Sequence, residues 1–387
     1  MLRLLRTSVS QAVGSALSYA ERLKRGGLYR ASKTEDFNRH LDEASHWLAR
    51  AQDAGTNRGI AYGADLGGPF LESYPETTGY IIPTFLELSK HYGDASWKSR
   101  AVDAGDWESS IQMADGAVMG GMLNANPTPA VFNTGMVLLG WAALLRDGPR
   151  DTWTESANRA CDWLLRMQDQ DGSWRRGNSA FAKREMTTYN VKAAWGMCEA
   201  GKALGRDDAV SGAMRNAEYC LTQQSPNGWF ANNCLTDSSN PLLHTTAYVM
   251  QGLIGIGRLT GRTDFIEGAE RTAKSLVKAM AVDGFIPGRT RPDFSAGANW
   301  CCLTGSAQTG IVWGHLYEIT GDRAYLDALD RVNRYLMRHH DIGNPDTTLR
   351  GGVPGSWPTW GEYGRLRVLN WATNFFVESL LMQKRLA

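Results

Sequence analysis

The chain has 387 residues, 43% hydrophobic and 21% charged, with no Pro/Ser/Gly-rich tract dividing it, so a continuous globular fold is expected and extended disorder is excluded. A formal net charge of +1, from 41 basic and 40 acidic residues, leaves no basic field for nucleic acid. No apolar run reaches the roughly 18 to 20 residues that a membrane span needs.

The first element is Met1-Leu2-Arg3-Leu4-Leu5-Arg6, basic and mildly amphipathic. The stretch through Ala20 is too polar for a good secretion signal and reads as a cytoplasmic start or a weak peripheral helix. Residues 1–30 are therefore expected to be an N-terminal extension with at most one capping helix, and residues 31–387 a single domain.

Beyond the extension the chain repeats itself. Apolar residues at helical spacing start again and again after a short polar or glycine-containing tag: Glu76-Thr77-Thr78-Gly79, Asn133-Thr134-Gly135, Tyr189-Asn190-Val191, His244-Thr245-Thr246, Leu303-Thr304-Gly305 and Asn370-Trp371-Ala372. Successive tags lie 57, 57, 54, 60 and 66 residues apart, counted at Glu76, Asn133, Asn190, His244, Thr304 and Asn370. Between them run amphipathic segments: Phe37 to Ala54, Trp153 to Met167, Ala209 to Thr222, Phe265 to Met280 and Tyr325 to His339. Helices apolar on nearly all sides alternate with helices apolar on one side, as two concentric rings require. The expected fold class is all-α, an (α/α)6 toroid of six helical hairpins. Gln168-Asp169-Gln170-Asp171-Gly172-Ser173-Trp174 and Gln223-Gln224-Ser225-Pro226-Asn227-Gly228-Trp229 close two outer helices, with glycine as the stop.

In this architecture every long loop runs from an outer helix into an inner one, so the loops and the inner-helix N-termini gather at one mouth. Such termini present unpaired N–H groups and partial positive charge. In chain order the mouth collects Asp65, Tyr74 and Glu76, then Asn124, Asn126 and Asn133, then Tyr189 and Asn190. His244, Arg289, Arg291 and Trp300 follow, and finally Trp357, Trp360, Tyr363 and Asn370. Glu76 and Asp65 are the leading catalytic carboxylates, since hydrolysis of a glycoside needs an acid and a second carboxylate facing one cleft. Glu76 is equally suited to capping its helix. His244, Tyr74 and Tyr189 could instead form an acid–base set for proton abstraction at a uronate, with Asn133, Asn190, Arg289 and Arg291 stabilising the enolate. The asparagines also make natural caps. Trp300, Trp357, Trp360, Tyr363 and Asn370 complete the expected sugar-binding set, because an indole offers a flat face to a pyranose.

The toroid pattern, Gln168 to Trp174, and the segment Leu303-Thr304-Gly305-Ser306-Ala307-Gln308 through Leu316-Tyr317-Glu318-Ile319-Thr320-Gly321-Asp322 resemble the six-hairpin glycosidase-like superfamily. The last segment is similar to the C-terminal helical domain of glucuronyl C5-epimerases. Ser73-Tyr74-Pro75-Glu76-Thr77-Thr78-Gly79-Tyr80 and Gly351-Gly352-Val353-Pro354-Gly355-Ser356 resemble toroid proteins associated with bacterial exopolysaccharide pathways. The resemblance implies an enzyme acting on a bacterial polysaccharide or oligosaccharide by hydrolase-type acid/base chemistry. A uronate C5-epimerase or polysaccharide lyase is the first alternative, and a non-catalytic polysaccharide binder the second. No cofactor is expected. Lanthionine cyclases and protein prenyltransferases are toroids that hold zinc through Cys and His, so Cys234, His244 and Cys301 or Cys302 form a possible ligand set, but their spacing is not that of a usual site. The remaining cysteines read as reduced core thiols, and the aspartate-rich signature of terpene cyclases is absent.

Overall fold

A computed structural model describes residues 24–32, 34–123, 126–179 and 182–387. The expected capping helix falls mostly outside this range. Residues 24–32 lie against the last long loop, with the Tyr29 hydroxyl donating to the Gly352 carbonyl at 2.8 Å and Asn344 donating to Leu28 at 2.8 Å.

Twelve helices longer than one turn follow in the described residues, and they alternate between two rings. The outer ring holds α1 (Phe37–Asp53), α3 (Ala95–Ile111), α5 (Asp151–Met167), α7 (Asp207–Thr222), α9 (Thr263–Ala279) and α11 (Arg323–Arg338). The inner ring holds α2 (Pro75–Tyr92), α4 (Val131–Asp147), α6 (Val191–Leu204), α8 (Leu243–Thr260), α10 (Leu303–Thr320) and α12 (Asn370–Leu386). Each inner helix packs against the next, and α12 returns to α1 and α2, closing the ring. The (α/α)6 toroid is thus the observed fold.

Burial follows the apolar pattern. Helix α4 hides all but a few of its residues, whereas α5 hides one face through Trp153, Ala157, Ala160 and Leu164. Glycine is what lets the inner helices come so close. A Cβ built on Gly196 of α6 would stand 1.8 Å from the carbonyl oxygen of Gly135 in α4, a contact that no side chain can occupy.

The repeated phrases that close the outer helices have a defined job. The side-chain amide of Gln168 donates to the carbonyl of Gly172 in its own turn at 3.0 Å and to that of Gly212 on the next outer helix at 2.9 Å. Gln112 does the same with Gly116 and Ser156, and Gln224 with Gly228 and Gly268. Gly172 takes φ 87°, where a Cβ would meet the Arg215 carbonyl oxygen at 2.4 Å, so the glycine is needed for the turn to sit on its neighbour. Trp174 is fully buried, and its indole N–H donates to Leu164 at 2.9 Å.

The inner helices begin at the long-loop end and stop at the other, where glycines in the left-handed conformation (Gly93, Gly205, Gly261, Gly321) make the short turns. Short antiparallel strands stitch the long loops together. Strand β1 (Gly63–Asp65) pairs with β5 (Arg367–Leu369), which also pairs with β3 (Val353–Pro354); β2 (Cys301–Cys302) pairs with β4 (Ser356–Trp357). The first and last long loops are thereby held edge to edge above the barrel. No described helix is long and apolar enough to cross a membrane.

Candidate functional site

At the long-loop end a cavity of about 480 Å³ opens over the inner-helix N-termini. Several inner helices aim a side chain of their first turn into it: Glu76 from α2, Phe132 and Asn133 from α4, His244 and Thr245 from α8, and Trp371 from α12. Tyr189 comes from the single 3-10 turn before α6 (Thr188–Asn190). Equivalent repeat positions therefore converge, each carrying a different chemistry. The β1–β5 pairing brings Tyr62 onto Trp371, ring centroids 4.6 Å apart and edge-on, to build one aromatic wall. Tyr248, one turn below His244 and 4.3 Å from it between ring centroids, continues the wall downward.

Among the described residues, Glu76 is the one carboxylate lining the cavity. Its Oε2 accepts from the Tyr74 hydroxyl at 2.9 Å, and burial pushes the carboxyl up to about 7 against the opposing effect of that bond. Near neutral pH it is therefore divided between acid and carboxylate. The phenols of Tyr74 and Tyr189 are pushed far above the physiological range, first by burial and then by Glu76 or nearby groups. Tyr189 donates to Asn178 Oδ1 at 2.5 Å. Both tyrosines thus hold their protons and donate, Tyr74 to Glu76 and Tyr189 to Asn178, so of the expected acid–base set they can supply only the acid.

His244 is buried apart from its cavity face. Its Nδ1 lies 2.6 Å from Gln308 Oε1; with the amide oxygen accepting there, the proton belongs on Nδ1 and the lone pair on Nε2. Burial pushes the imidazole down to about 4; the Gln308 bond opposes this and the charge of Lys192 adds to it. Across most of the pH scale the ring is neutral with one nitrogen free to accept a proton. Asn133 lines the same cavity, and its buried Nδ2 has no protein partner, leaving a donor for a ligand oxygen.

Other expected residues are employed elsewhere. Asp65 is turned to Arg367, Oδ1 to Nε 2.8 Å, and does not line the cavity, so it cannot be the second carboxylate beside Glu76. Arg289 is buried and clamped by Glu362 at 2.7 Å. Together with exposed Arg291 and with Trp300 it lines a separate open groove beside the mouth. Trp357 packs on His339, with centroids 4.8 Å apart, and Trp360 stands 42% exposed; neither lines the cavity. Tyr363 does line it, its hydroxyl accepting from the Trp371 indole at 2.8 Å. Asn370 ties the last inner helix to the first long loop, donating to Ala61 and Thr77 at 2.8 and 2.7 Å, and Asn190 donates to Asn178 at 3.4 Å; both are outside the lining. Asn124 lies outside the described residues, and Asn126 is described but does not line the cavity. The six cysteines are buried and unbridged; Cys301 is within 3.2 Å of Ser306 Oγ and Cys302 accepts from the Gly305 N–H at 3.5 Å. Among the described residues no three His, Cys, Asp or Glu side chains are grouped to hold a metal ion. Asn178, Tyr248 and Trp371 line the cavity as well and were not among the expected site residues, although Trp371 occupies the same first-turn position in its repeat as His244 and Glu76.

No family model and no curated protein matches the chain. Solved structures do. An unsaturated glucuronyl hydrolase specific for heparin superposes with a TM-score of 0.72 at 14% identity, covering 91% of this chain and 98% of its own. A cellobiose 2-epimerase from Bacillus thermoamylovorans gives 0.71 at 11%, covering 90% and 98%. A D-mannose isomerase gives 0.68 at 12%, covering 93% and 100%. Identities this low establish the fold alone, and the three proteins are named for three different reactions. The chain accordingly shares the (α/α)6 toroid of glycosidase-like proteins, and its chemistry has to be read from its own cavity.

Proposed function

We propose that this chain is a carbohydrate-active enzyme that epimerises or isomerises a neutral reducing sugar, by moving a proton at the carbon next to the carbonyl. The observation that carries this reading is the pairing, in one cavity, of an unprotonated His244 Nε2 with a single carboxyl group, Glu76, held near neutrality. The volume suits a sugar of one or two rings.

In the opened form of an aldose, His244 Nε2 takes the C2 proton. The C–H electrons form a C1=C2 bond while the carbonyl π electrons move to oxygen, which receives a proton from Glu76 or a hydrogen bond from Asn133. Once the open chain has turned its other face to the protonated His244, return of the proton to C2 inverts that carbon, and the O1 proton goes back to Glu76 as the carbonyl re-forms. Return of the proton to C1, with the O2 hydroxyl proton passing to the Glu76 carboxylate as C2 becomes the carbonyl, yields the ketose. No net oxidant or reductant is needed in either case. The aromatic walls from Tyr62, Trp371, Tyr248 and Phe132 offer faces to the sugar's C–H groups.

Two comparisons of chemistry favour this over the alternatives. Two-carboxylate hydrolysis lacks its second carboxylate once Asp65 is tied to Arg367. Uronate lyase or C5-epimerase chemistry calls for a cation on the substrate carboxylate, and among the described residues no Lys or Arg lines this cavity. Among the fold neighbours, the cellobiose 2-epimerase and the D-mannose isomerase support the reading by analogy. Hydrolysis remains the second reading, because a carboxyl near 7 is a competent general acid.

The test is incubation with mannose, glucose and cellobiose in deuterated water, read by NMR and mass spectrometry. Solvent deuterium at C2 together with a new epimer or ketose is expected. New reducing ends from oligosaccharides without deuterium at carbon would replace this reading with hydrolysis, and binding without turnover would leave a binding protein.

A further inference from the structure

Below the cavity a column of polar side chains runs down the barrel axis through otherwise apolar inner helices. His244 Nδ1 meets Gln308 Oε1 at 2.6 Å, Gln308 Nε2 donates to Gln251 Oε1 at 3.1 Å, and Lys192 Nζ donates to that same Gln251 oxygen at 3.1 Å. Gln308 is fully buried, Gln251 is 6% exposed and Lys192 is 3% exposed. Burying an ammonium and two amides in a hydrocarbon interior is costly unless each is paired in one particular way.

The column has a direction, and Lys192 sets it. In its ammonium form Lys192 only donates, so the Gln251 amide presents its oxygen to it. That oxygen also faces Gln308, which must then offer its NH2 and turn its own oxygen toward His244. An amide oxygen only accepts, which puts the imidazole proton on Nδ1 and the lone pair on Nε2, facing the cavity. Without the ammonium both amides are free to rotate by half a turn. Gln308 would then offer N–H to Nδ1, and the proton would move to Nε2, turning the base into a donor. The amides relay orientation and carry no proton themselves.

We propose that Lys192, Gln251 and Gln308 are positioning residues that fix which ring nitrogen of His244 carries the proton, with the anchoring ammonium held at mid-barrel, below the cavity. The proposal rests on the reading of His244 as the base. The surroundings of Lys192 suit an anchor: its Nζ sits 4.1 Å from the centroid of the Trp195 ring, with Glu378 and Glu199 as the nearby charges. Burial lowers its proton affinity while Glu378 pulls it back. Glu378 is itself held by Thr84 and Asn374, at 2.9 and 2.8 Å through one oxygen. Lys192 and Glu378 both line a second cavity of about 210 Å³ toward the short-turn end. The groups facing His244 are the Tyr248 and Tyr363 rings, Gln308 and Cys302, with Glu76 sharing its cavity.

The experiment is two-bond 1H–15N correlation on protein carrying 15N-histidine, with the His244 signals identified by their loss in His244→Asn. The native protein is expected to show the Nδ1–H form. In Lys192→Met and in Gln251→Leu, at least a tenfold larger share of Nε2–H is expected. For the sugar reaction, kcat should fall on the order of a hundredfold at a KM changed less than about threefold. Gln308→Glu still accepts from Nδ1, so it should keep the tautomer and most of kcat while moving the acid limb of the pH profile up from about 4. Native protein with the proton on Nε2, or both variants keeping Nδ1–H, overturns the proposal. If Lys192→Met does not fold, Gln251→Leu decides alone. The NMR reading stands whether or not any sugar is turned over, so failure of the lock and failure of the proposed reaction are told apart.

Discussion

The two ends of this barrel are built from the same six inner helices and differ in almost everything a ligand would meet. At the long-loop end the helix N-termini point Glu76, Asn133, His244 and Trp371 into a cavity of about 480 Å³. At the short-turn end a cavity of about 210 Å³ is lined by charges that are largely satisfied by one another, such as Arg146 with Glu199 at 2.7 Å and Arg385 with Glu87 at 3.6 Å. Helix N-termini leave donors free and the long loops supply variety, whereas turns of a few residues have little to contribute. Unsatisfied chemistry collects at one end, and at the other the charges serve packing.

The sharpest way to break this contrast is to remove the base. His244→Ala is expected to lower kcat/KM for the proton-transfer reaction by about a thousandfold or more, with thermal unfolding little changed; activity within tenfold of native would move the site away from the mouth.

Glu76→Gln comes next, at about a hundredfold in kcat, with loss of the alkaline limb near 7 in the pH profile. Its effect on stability has a definite sign. The Glu76 carboxyl is raised from 4.5 to about 7 on folding, so its favourable contribution is complete below about 4.5 and is lost as pH rises through about 7. Denaturant titrations should show Glu76→Gln gaining on the native protein across that window, and a constant difference would refute the burial assigned here. His244 behaves in the opposite sense: lowered from 6.5 to about 4, it contributes stability above about 6.5 that disappears as pH falls through about 4.

Gly196→Ala acts on the wall common to both ends. With the new Cβ 1.8 Å from the Gly135 oxygen, a loss of about 3 kcal/mol in unfolding free energy is expected, from overpacking that the backbone has to absorb. An unchanged melting temperature would mean that α4 and α6 stand further apart. The smallest effect sharpens the comparison by being negligible: Glu87→Gln, at the short-turn end, should leave kcat/KM within about twofold, and a large loss would put substrate at the wrong end of the barrel.

Much of this was legible in the amino-acid order. The tags at Glu76, Asn133, Asn190 and His244 mark inner-helix starts because each breaks from polar to apolar at the same place in its hairpin, and the first-turn side chains of Glu76, Asn133 and His244 do converge. What could not be read was which polar residues are already taken. Asp65 and Arg367 are 302 positions apart, and Arg289 and Glu362 are 73 apart, so their pairing has no local signature. The axial column was hidden for a related reason. Lys192, Gln251 and Gln308 belong to three hairpins, and a lone polar residue in an apolar helix does not announce which neighbour it faces. Asn178 sits in a long loop whose path no periodicity predicts.

The glutamine joints have a consequence for how the molecule comes apart. Gln112, Gln168 and Gln224 each tie one hairpin to the next, and α12 completes the circle against α1 and α2. In an open array of helical repeats the end units have one neighbour and fray first. Here every hairpin has two, so releasing any of them means tearing two seams at once. Heat or denaturant should therefore find no weak repeat to peel away, and the ring should melt in a single step, carrying the mouth and its chemistry with it.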